Sequence, residues 1–182
     1  MLTGLRRRAL RLLRRVPTPV LERAVRLGSP SYTLGTACLI EHDDKILLVQ
    51  TAYRRNWSLP GGLLDRGESP AEGLVREVLE ETGVRVDVCG EPIVVVDLDR
   101  QLVEFFFRAT LAPGVAPDDV RGGAPEIERI GWFAREDARR LVRGASRFEQ
   151  KFAVYDDARG GSLVVLRDDP RRRRKRRRRP HD

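Results

Sequence analysis

One helix of this chain is specified at both of its ends by its own sequence. Ser69 is a favourable N-cap, Pro70 suits the first helical position, and Glu72 stands where it completes a capping box with Ser69. Gly83 supplies the stop signal at the other end. The sequence therefore predicts a helix from Pro70 to Thr82, and the remaining elements have to pack around it.

The two faces of this helix differ in chemistry. At about 100° per residue, Glu77, Glu80 and Glu81 fall on one arc, at spacings that bring their carboxylates together. The apolar and small residues fall on the opposite arc and are predicted to face the core: Ala71, Leu74, Val75, Val78, Leu79 and Thr82. The helix thus combines a core face with a carboxylate cluster.

The carboxylate cluster is unfavourable for folding in two separate ways. Like charges three and four residues apart on a helix each cost about 0.2–0.5 kcal/mol. Near a helix C-terminus the dipole prefers cations by about 0.3–1 kcal/mol each. Oxygen ligands of this kind bind hard divalent cations, so the cluster predicts a site for Mg²⁺, with Mn²⁺ as an alternative. Gly73, one turn earlier, is expected to leave room beside the cations.

Other residues around the helix support the same interpretation. Arg76 can reach Glu72 or Glu80, four residues away on either side, and would orient a carboxylate. In the loop before the helix, glycines such as Gly61 and Gly62 let the backbone approach a phosphate or offer a carbonyl to a cation. Loop and helix are therefore expected to form one functional unit.

The segment Gly62 to Val84 resembles the complete signature box of the Nudix hydrolases. Five residues separate Gly62 from Glu68, and seven separate Glu68 from the run Arg76-Glu77-Val78-Leu79-Glu80-Glu81-Thr82-Gly83-Val84. Nine specified positions at fixed spacing are far more specific than a lone glycine motif. The alternative, an ordinary acidic surface helix, does not account for this spacing.

The resemblance implies a role for each matching residue. Glu77, Glu80 and Glu81 would bind divalent metal, and Gly62 would add its backbone carbonyl. Arg76 would hold a catalytic carboxylate in place, and Glu68 would order the loop and the helix. The family cleaves a nucleoside diphosphate linked to another moiety, by attack of water at phosphorus.

Two glutamates are candidates for the general base. Glu81 belongs to the box, whereas Glu126 lies in a later loop and resembles the downstream glutamate that serves as base or extra ligand in many family members. Glu81 and Glu126 remain equal alternatives. The expected activity is metal-dependent hydrolysis of a nucleoside triphosphate or of a nucleotide-sugar type diphosphate.

Residues for substrate recognition are less well defined. Tyr53, Arg54, Arg55 and Trp57 precede the box and could stack on a base and pair with phosphate. The alternative is a strand with one buried aromatic residue and solvated arginines. The proline typical of the ADP-ribose subfamily is absent from its expected region, residues 97–100. The sequence does not name the substrate.

The formal net charge of +8 resides at the two ends of the chain. Residues 1–27 contain eight Arg and one Glu, and residues 171–179 are nine consecutive basic residues. Between them, residues 28–170 contain 18 basic and 25 acidic residues, a balance of −7. An acidic domain binds phosphates only through cations or a few placed basic groups.

These ends define the predicted domain organisation and a second functional hypothesis. We expect a basic amphipathic extension over 1–30, a Nudix domain over 31–168 and a disordered polybasic tail over 169–182. The ends could contact nucleic acid or anionic lipid weakly. The second hypothesis is therefore a nucleic-acid-associated protein that acts on or binds RNA 5′ phosphate ends. A third hypothesis is a catalytically silent binding module.

Under the first hypothesis, the expected substrate is a small nucleotide. A homodimer is considered as the oligomeric state.

The remaining pattern is that of an α+β or α/β/α sandwich fold, a mixed sheet flanked by helices. No apolar run reaches the roughly 18–20 residues that span a bilayer, so we expect a cytoplasmic protein. A second helix is expected over 136–142, and both cysteines are expected to be buried. Strands are predicted at 33–40, 45–50, 93–98, 102–111 and 130–133, with a final hairpin formed by 152–155 and 163–166.

Overall fold

The structure is a computed structural model that describes residues 17, 18, 20, 28–53, 56–142, 152, 155 and 161–166. The chain divides into two compact units, Met1–Tyr32 and Thr33–Asp182, and the fold described below belongs to the second. Most of the predicted basic N-terminal extension and the whole polybasic tail lie outside the described residues.

In the second unit, bounds are defined for six strands and two helices. Strand β1 (Thr33–His42) and strand β2 (Lys45–Thr51) precede helix α1 (Pro70–Thr82), which is followed by β3 (Val86–Asp97) and β4 (Leu102–Leu111). A 3₁₀ turn at Pro117–Asp119 leads to β5 (Ile127–Ala134), α2 (Arg135–Leu141) and β6 (Leu163–Leu166).

The six strands form one mixed sheet in the order β5-β2-β1-β4-β3-β6. The pairs β1 with β4 and β3 with β6 are parallel, and the other neighbouring pairs are antiparallel. On one face of the sheet, Leu74 and Val78 of α1 pack with Cys38 of β1. On the other face, Ala138 of α2 packs with Leu39 of β1. The α/β/α sandwich is confirmed.

The loop that contains Ser58, Pro60 and Gly62 lies between β1 and β2. These two strands pair directly with each other only next to their connecting turn. On the β1 side, the N–H groups of Thr36 and Cys38 donate to the carbonyls of Gly62 (2.8 Å) and Pro60 (3.0 Å). On the β2 side, Ser58 exchanges two backbone hydrogen bonds with Val49, which lies in β2. This inserted loop places Gly61 and Gly62 beside β1.

The structure corrects several of the predicted elements. Strand β3 begins at Val86 rather than at 93, because its pairing with β4 continues across a register shift between Cys89 and Ile93. Phe152 and Tyr155 are helical and buried, so the final hairpin is wrong. Strand β6 pairs in parallel with β3 instead. Cys38 is buried as expected, whereas Cys89 is exposed.

Among the described residues, no helix is both long enough and apolar enough to cross a membrane.

Candidate active site

Helix α1 has the ends that its sequence predicts. Ser69 and Glu72 form the capping box, with the Ser69 N–H donating to Glu72 Oε2 at 2.9 Å. Gly83 adopts a left-handed conformation with φ of 72°, and its N–H donates to the carbonyl of Leu79 at 2.9 Å. The predicted bounds Pro70–Thr82 are confirmed.

The core face of α1 is narrower than the predicted arc. Leu74, Val78 and Thr82 are buried, four residues apart in a single row. Leu79 is 39% exposed and Val75 is half-buried, so the outer part of the arc borders solvent. The row of buried residues fixes the rotation of the helix about its axis, and with it the direction of the glutamates.

Arg76 connects the loop to the acidic face of the helix. Its Nε and Nη2 atoms donate to the two carboxylate oxygens of Glu68, at 2.7 Å and 2.9 Å, and Nη2 also donates to the carbonyl of Leu63 at 3.0 Å. Its Nη1 atom donates to Glu77 at 2.8 Å and to Glu80 at 3.4 Å. One guanidinium group therefore holds three carboxylates, and the predicted contact with Glu80 is present.

Glu68 is held as an anion by these contacts. The Arg76 side chain, together with the backbone N–H of Asp65 that donates to Glu68 Oε2 at 2.8 Å, lowers the pKa of Glu68 to about 2. A bidentate pair between arginine and carboxylate fixes both groups in direction as well as distance. Glu68 thus anchors Arg76, and Arg76 in turn directs Glu77.

Gly62 lies directly beneath the carboxylate of Glu77. A Cβ atom at Gly62 would lie 2.3–2.7 Å from the carboxylate atoms of Glu77, so any side chain there would displace it. The Gly62 carbonyl accepts the N–H of Thr36 at 2.8 Å. Because a carbonyl oxygen has two lone pairs, this bond leaves one acceptor position on Gly62.

Glu81 is the buried member of the cluster, with 8% of its surface exposed. Burial, together with the neighbouring charges of Glu77, Glu126 and Glu80, raises the pKa of Glu81 to about 7. The N–H of Gly61 donates to Glu81 Oε2 at 2.8 Å and partly opposes this shift. The carboxylate of Glu81 therefore sits in a negative and poorly hydrated environment.

The space beside Gly73 is filled by protein, not left open above the cluster as predicted. A Cβ atom at Gly73 would lie 2.4 Å from Leu64 Cδ2 and 3.1 Å from Glu68 Oε2. The missing side chain therefore lets the loop before the helix pack closely on α1. Gly73 serves the loop that carries Glu68, and the cost in helix propensity of about 1 kcal/mol is associated with this contact.

Glu126 is brought to the cluster from a distant part of the chain. It is exposed and directly precedes β5, and its charge is one of those that raise the pKa of Glu81. The N–H of Ala52, which follows β2, donates to the carbonyl of Glu126 at 2.8 Å. Both candidate bases, Glu81 and Glu126, consequently belong to one acidic centre.

The donor set of this centre fits a divalent cation in its chemistry. Glu77, Glu80 and Glu81 supply carboxylate oxygens, which hard cations prefer, and their combined charge exceeds that of the single guanidinium of Arg76. In the part of the chain that the structure describes, no three acidic, histidine or cysteine side chains already converge on one point. Glu77 and Glu80 each direct an oxygen toward Arg76.

Two of the four residues proposed for substrate contact, Tyr53 and Trp57, are described by the structure, and they differ in exposure. Tyr53 is 70% exposed. Trp57 is 8% exposed and packs edge-on against Phe133, with Arg129 lying over its ring at 5.2 Å from the centroid. The burial of Trp57 argues against stacking on a base and agrees with the alternative of a buried aromatic residue. Arg54 and Arg55 lie outside the described residues.

Comparison with known proteins identifies the family. The model of the Nudix domain matches residues 31–152. This chain belongs to the Nudix family. The match spans the box and strands β1 to β5, so the resemblance seen in residues 62–84 extends over residues 31–152.

Curated Nudix relatives match this chain over part of their length. A MutT-like protein of Streptomyces ambofaciens is 38% identical over 87 residues, which are 47% of this chain and 56% of that protein. The 8-oxo-dGDP phosphatase NUDT18 of Homo sapiens is 28% identical over 142 residues, 70% of this chain and 42% of that protein. The chain therefore spans about half of the length of these relatives, or less.

A solved Nudix structure shares the fold. The Nudix hydrolase from Nitrosomonas europaea superposes with a TM-score of 0.62 at 21% identity, covering 77% of this chain and 81% of that one. At this level of identity the likeness concerns the fold alone. It agrees with the sandwich architecture in which α1 lies against one face of a mixed sheet.

Proposed function

We propose that this protein is a Nudix pyrophosphohydrolase that cleaves a diphosphate linkage in a small nucleotide derivative. The observation that carries the proposal is the acidic centre on α1, where Arg76 holds Glu77 and Glu80 while Glu81 is buried beside them. Such a concentration of carboxylates at the end of a helix is costly for folding and is explained by a function.

The residues that would hold a divalent cation, Mg²⁺ or Mn²⁺, are Glu77, Glu80, Glu81 and the carbonyl of Gly62. Such a cation supplies charge neutralisation for the phosphate oxygens and makes a water molecule more acidic. The support on this chain is the all-oxygen donor set and the excess of negative charge around Glu81. The same excess predicts that the centre gains stability when a cation is added.

The protein's own side chains and backbone groups orient the carboxylates and accept the proton of the attacking water. Arg76, anchored by Glu68, orients Glu77 and Glu80, and Gly61 orients Glu81 through its backbone N–H. Water forms a new bond to phosphorus, the bond from that phosphorus to the bridging oxygen breaks, and the proton of the water passes to a carboxylate. Glu81 and Glu126 are the two proposed acceptors for this proton.

The proposed substrate class is supported by the name of one relative. A related protein is named as an 8-oxo-dGDP phosphatase, which supports a nucleoside di- or triphosphate. A nucleotide-sugar type diphosphate has the same linkage and stays the alternative. Because the domain is acidic between residues 28 and 170, binding of either class is expected to depend on the divalent cation.

The test is an assay of the purified chain with Mg²⁺ on a panel of nucleoside triphosphates, nucleoside diphosphates and nucleotide sugars. We expect release of a nucleoside monophosphate or a diphosphate product from at least one compound, and loss of turnover by about 10²-fold or more in Glu77→Gln and Glu81→Gln. Glu128→Gln, an exposed glutamate two residues beyond Glu126, is the matched control. Full turnover in the Glu77 and Glu81 variants would refute the assignment of the site.

A further inference from the structure

The segment 121–126 is attached to the C-terminal end of α1 through its backbone. The N–H groups of Arg121 and Gly123 donate to the carbonyls of Thr82 at 2.9 Å and Glu81 at 3.1 Å. The last carbonyls of a helix lack donors within the helix, so these two bonds satisfy groups that would otherwise need water. The attachment joins a loop to the turn of α1 that carries the buried glutamate.

This attachment requires a glycine at 123. A Cβ atom at Gly123 would lie 2.5 Å from the carbonyl oxygen of Glu80, a helix backbone atom that cannot rotate away. At the adjacent Gly122 a Cβ atom would meet the side chain of Ile127 at 3.5 Å, an ordinary contact. Neither glycine is among those with a positive φ, so alanine is permitted by the backbone at both. The two positions differ in the space available, and Gly122 provides a matched control.

The other end of the segment is attached to β2. The carbonyl of Glu126 accepts the N–H of Ala52 at 2.8 Å, and the N–H of Ile127 closes a turn onto the carbonyl of Ala124 at 3.0 Å. Residue 127 then pairs with Thr51 as the first residue of β5. The carboxylate of Glu126 therefore stands on a short stretch of backbone whose two ends rest on α1 and on the sheet.

We propose that Gly123 is a positioning residue, whose missing side chain lets this segment rest against α1 and so sets the place of the Glu126 carboxylate relative to Glu81. The proposal rests on the function proposed above. Gly123 carries no reacting group and acts through Glu126. A displacement of about 1 Å at a reacting group can lower a rate by about 10²-fold, which is the scale of the effect expected when the segment is pushed away.

The experiment compares Gly123→Ala with Gly122→Ala in the full chain. With the best substrate of the panel, we expect kcat to fall roughly tenfold to hundredfold in Gly123→Ala, with KM and the Mg²⁺ concentration for half-maximal rate unchanged. Gly122→Ala should keep the wild-type kcat. Equal kcat in the two variants of an active protein would overturn the proposal. A changed Mg²⁺ requirement would also overturn it, because the effect would then pass through the ligands on α1.

A second measurement separates positioning from a general structural role. In a Glu126→Gln background, Gly123→Ala should cause no further loss of kcat, since its effect passes through Glu126. A full additional loss would contradict the proposal. If Gly123→Ala does not fold, Glu126→Asp moves the carboxylate back by one methylene on an intact loop and should lower kcat nearly as far as Glu126→Gln. Wild-type kcat in Glu126→Asp would overturn the role of that position.

Amide hydrogen exchange tests the attachment without any substrate. The amide of Arg121 should lose protection in Gly123→Ala and keep it in Gly122→Ala. Unchanged protection in both variants would overturn the proposal even if the enzyme is active. If no compound of the panel is cleaved by the wild-type protein, the proposed function fails, while the exchange measurement still decides whether Gly123 holds the segment.

Discussion

Protein freed of divalent cations is expected to lose stability as the pH rises from about 4.5 to about 7, because these are the pKa values of Glu81 in the unfolded and folded states. Residue Glu81 is 8% exposed, and burial is the main cause that raises its pKa from 4.5 to about 7. The charges of Glu77, Glu126 and Glu80 act in the same direction, and the hydrogen bond from Gly61 opposes them. Between these two pKa values the folded protein holds a proton that the unfolded chain releases.

The sign and the size of the effect follow from this difference. The contribution to stability is complete below pH 4.5, declines as the pH rises, and is lost above the folded pKa of about 7. One pKa unit corresponds to about 1.36 kcal/mol. The shift at Glu81 therefore corresponds to a decrease on the order of 3 kcal/mol in the free energy of unfolding across this range. This is a large fraction of the total stability of a typical domain.

Urea denaturation in the presence of a chelator, followed by circular dichroism at several pH values, measures this decrease. Glu81→Gln should flatten the dependence, because a neutral amide can still accept the hydrogen bond from Gly61. Glu80→Gln serves as the control, since the Glu80 side chain is 55% exposed and should leave most of the slope intact. Parallel pH curves for the wild-type protein and Glu81→Gln would refute the argument.

Two further predictions concern the groups around the acidic centre and the end of the chain. Arg76→Lys keeps the positive charge but loses the bidentate contact with Glu68, so kcat should fall by about tenfold or more. The control is Arg85→Lys, the same exchange at an exposed arginine. Equal kcat in the two variants would contradict the prediction. Deletion of residues 171–182 should leave turnover of small nucleotides nearly unchanged and weaken salt-sensitive binding to RNA, as measured by titration at several ionic strengths. A large loss of turnover would show instead that the tail contributes to the active site.

The parts of the fold that were predicted correctly are those with local signals. The bounds of α1 follow from Ser69, Pro70 and Gly83, which act on neighbouring backbone groups and need no tertiary context. The turn between β1 and β2 is equally local, since Asp43 and Asp44 both adopt positive φ there. The order of the carboxylates on α1 depends only on helical periodicity, and the acidic face was therefore visible in the sequence.

The errors in the predicted strands arise where the structure of a segment depends on pairing or packing with residues that are distant in the sequence. The stretch from Gly90 to Pro92 reads as a break, but pairing with β4 carries β3 across it through a register shift. Phe152 and Tyr155 have strand propensity, yet both are helical and buried against the sheet, three residues apart on one helical face. In both cases the tertiary context overrides the local preference.

The same distinction applies to the active site. The contact of Gly61 with Glu81 joins residues 20 positions apart, and that of Gly123 with the carbonyl of Glu81 crosses an even longer stretch of chain. Sequence spacing along one helix cannot reveal either contact. At position 61 the glycine itself indicated a close approach of the backbone. Nothing in the local sequence, however, distinguishes Gly123 from its neighbour Gly122.

The C-terminal end of α1 shows that its acidic side chains are not required for helix termination. The carbonyl of Leu79 accepts the N–H of Gly83, and those of Glu81 and Thr82 accept N–H groups from the segment after the 3₁₀ turn. No basic residue lies in the last turn, where the dipole would favour one. Because the carbonyls of Leu79, Glu81 and Thr82 accept these bonds without any glutamate side chain, and folding alone would favour cations in place of the glutamates, the acidic side chains are best explained by a cationic ligand.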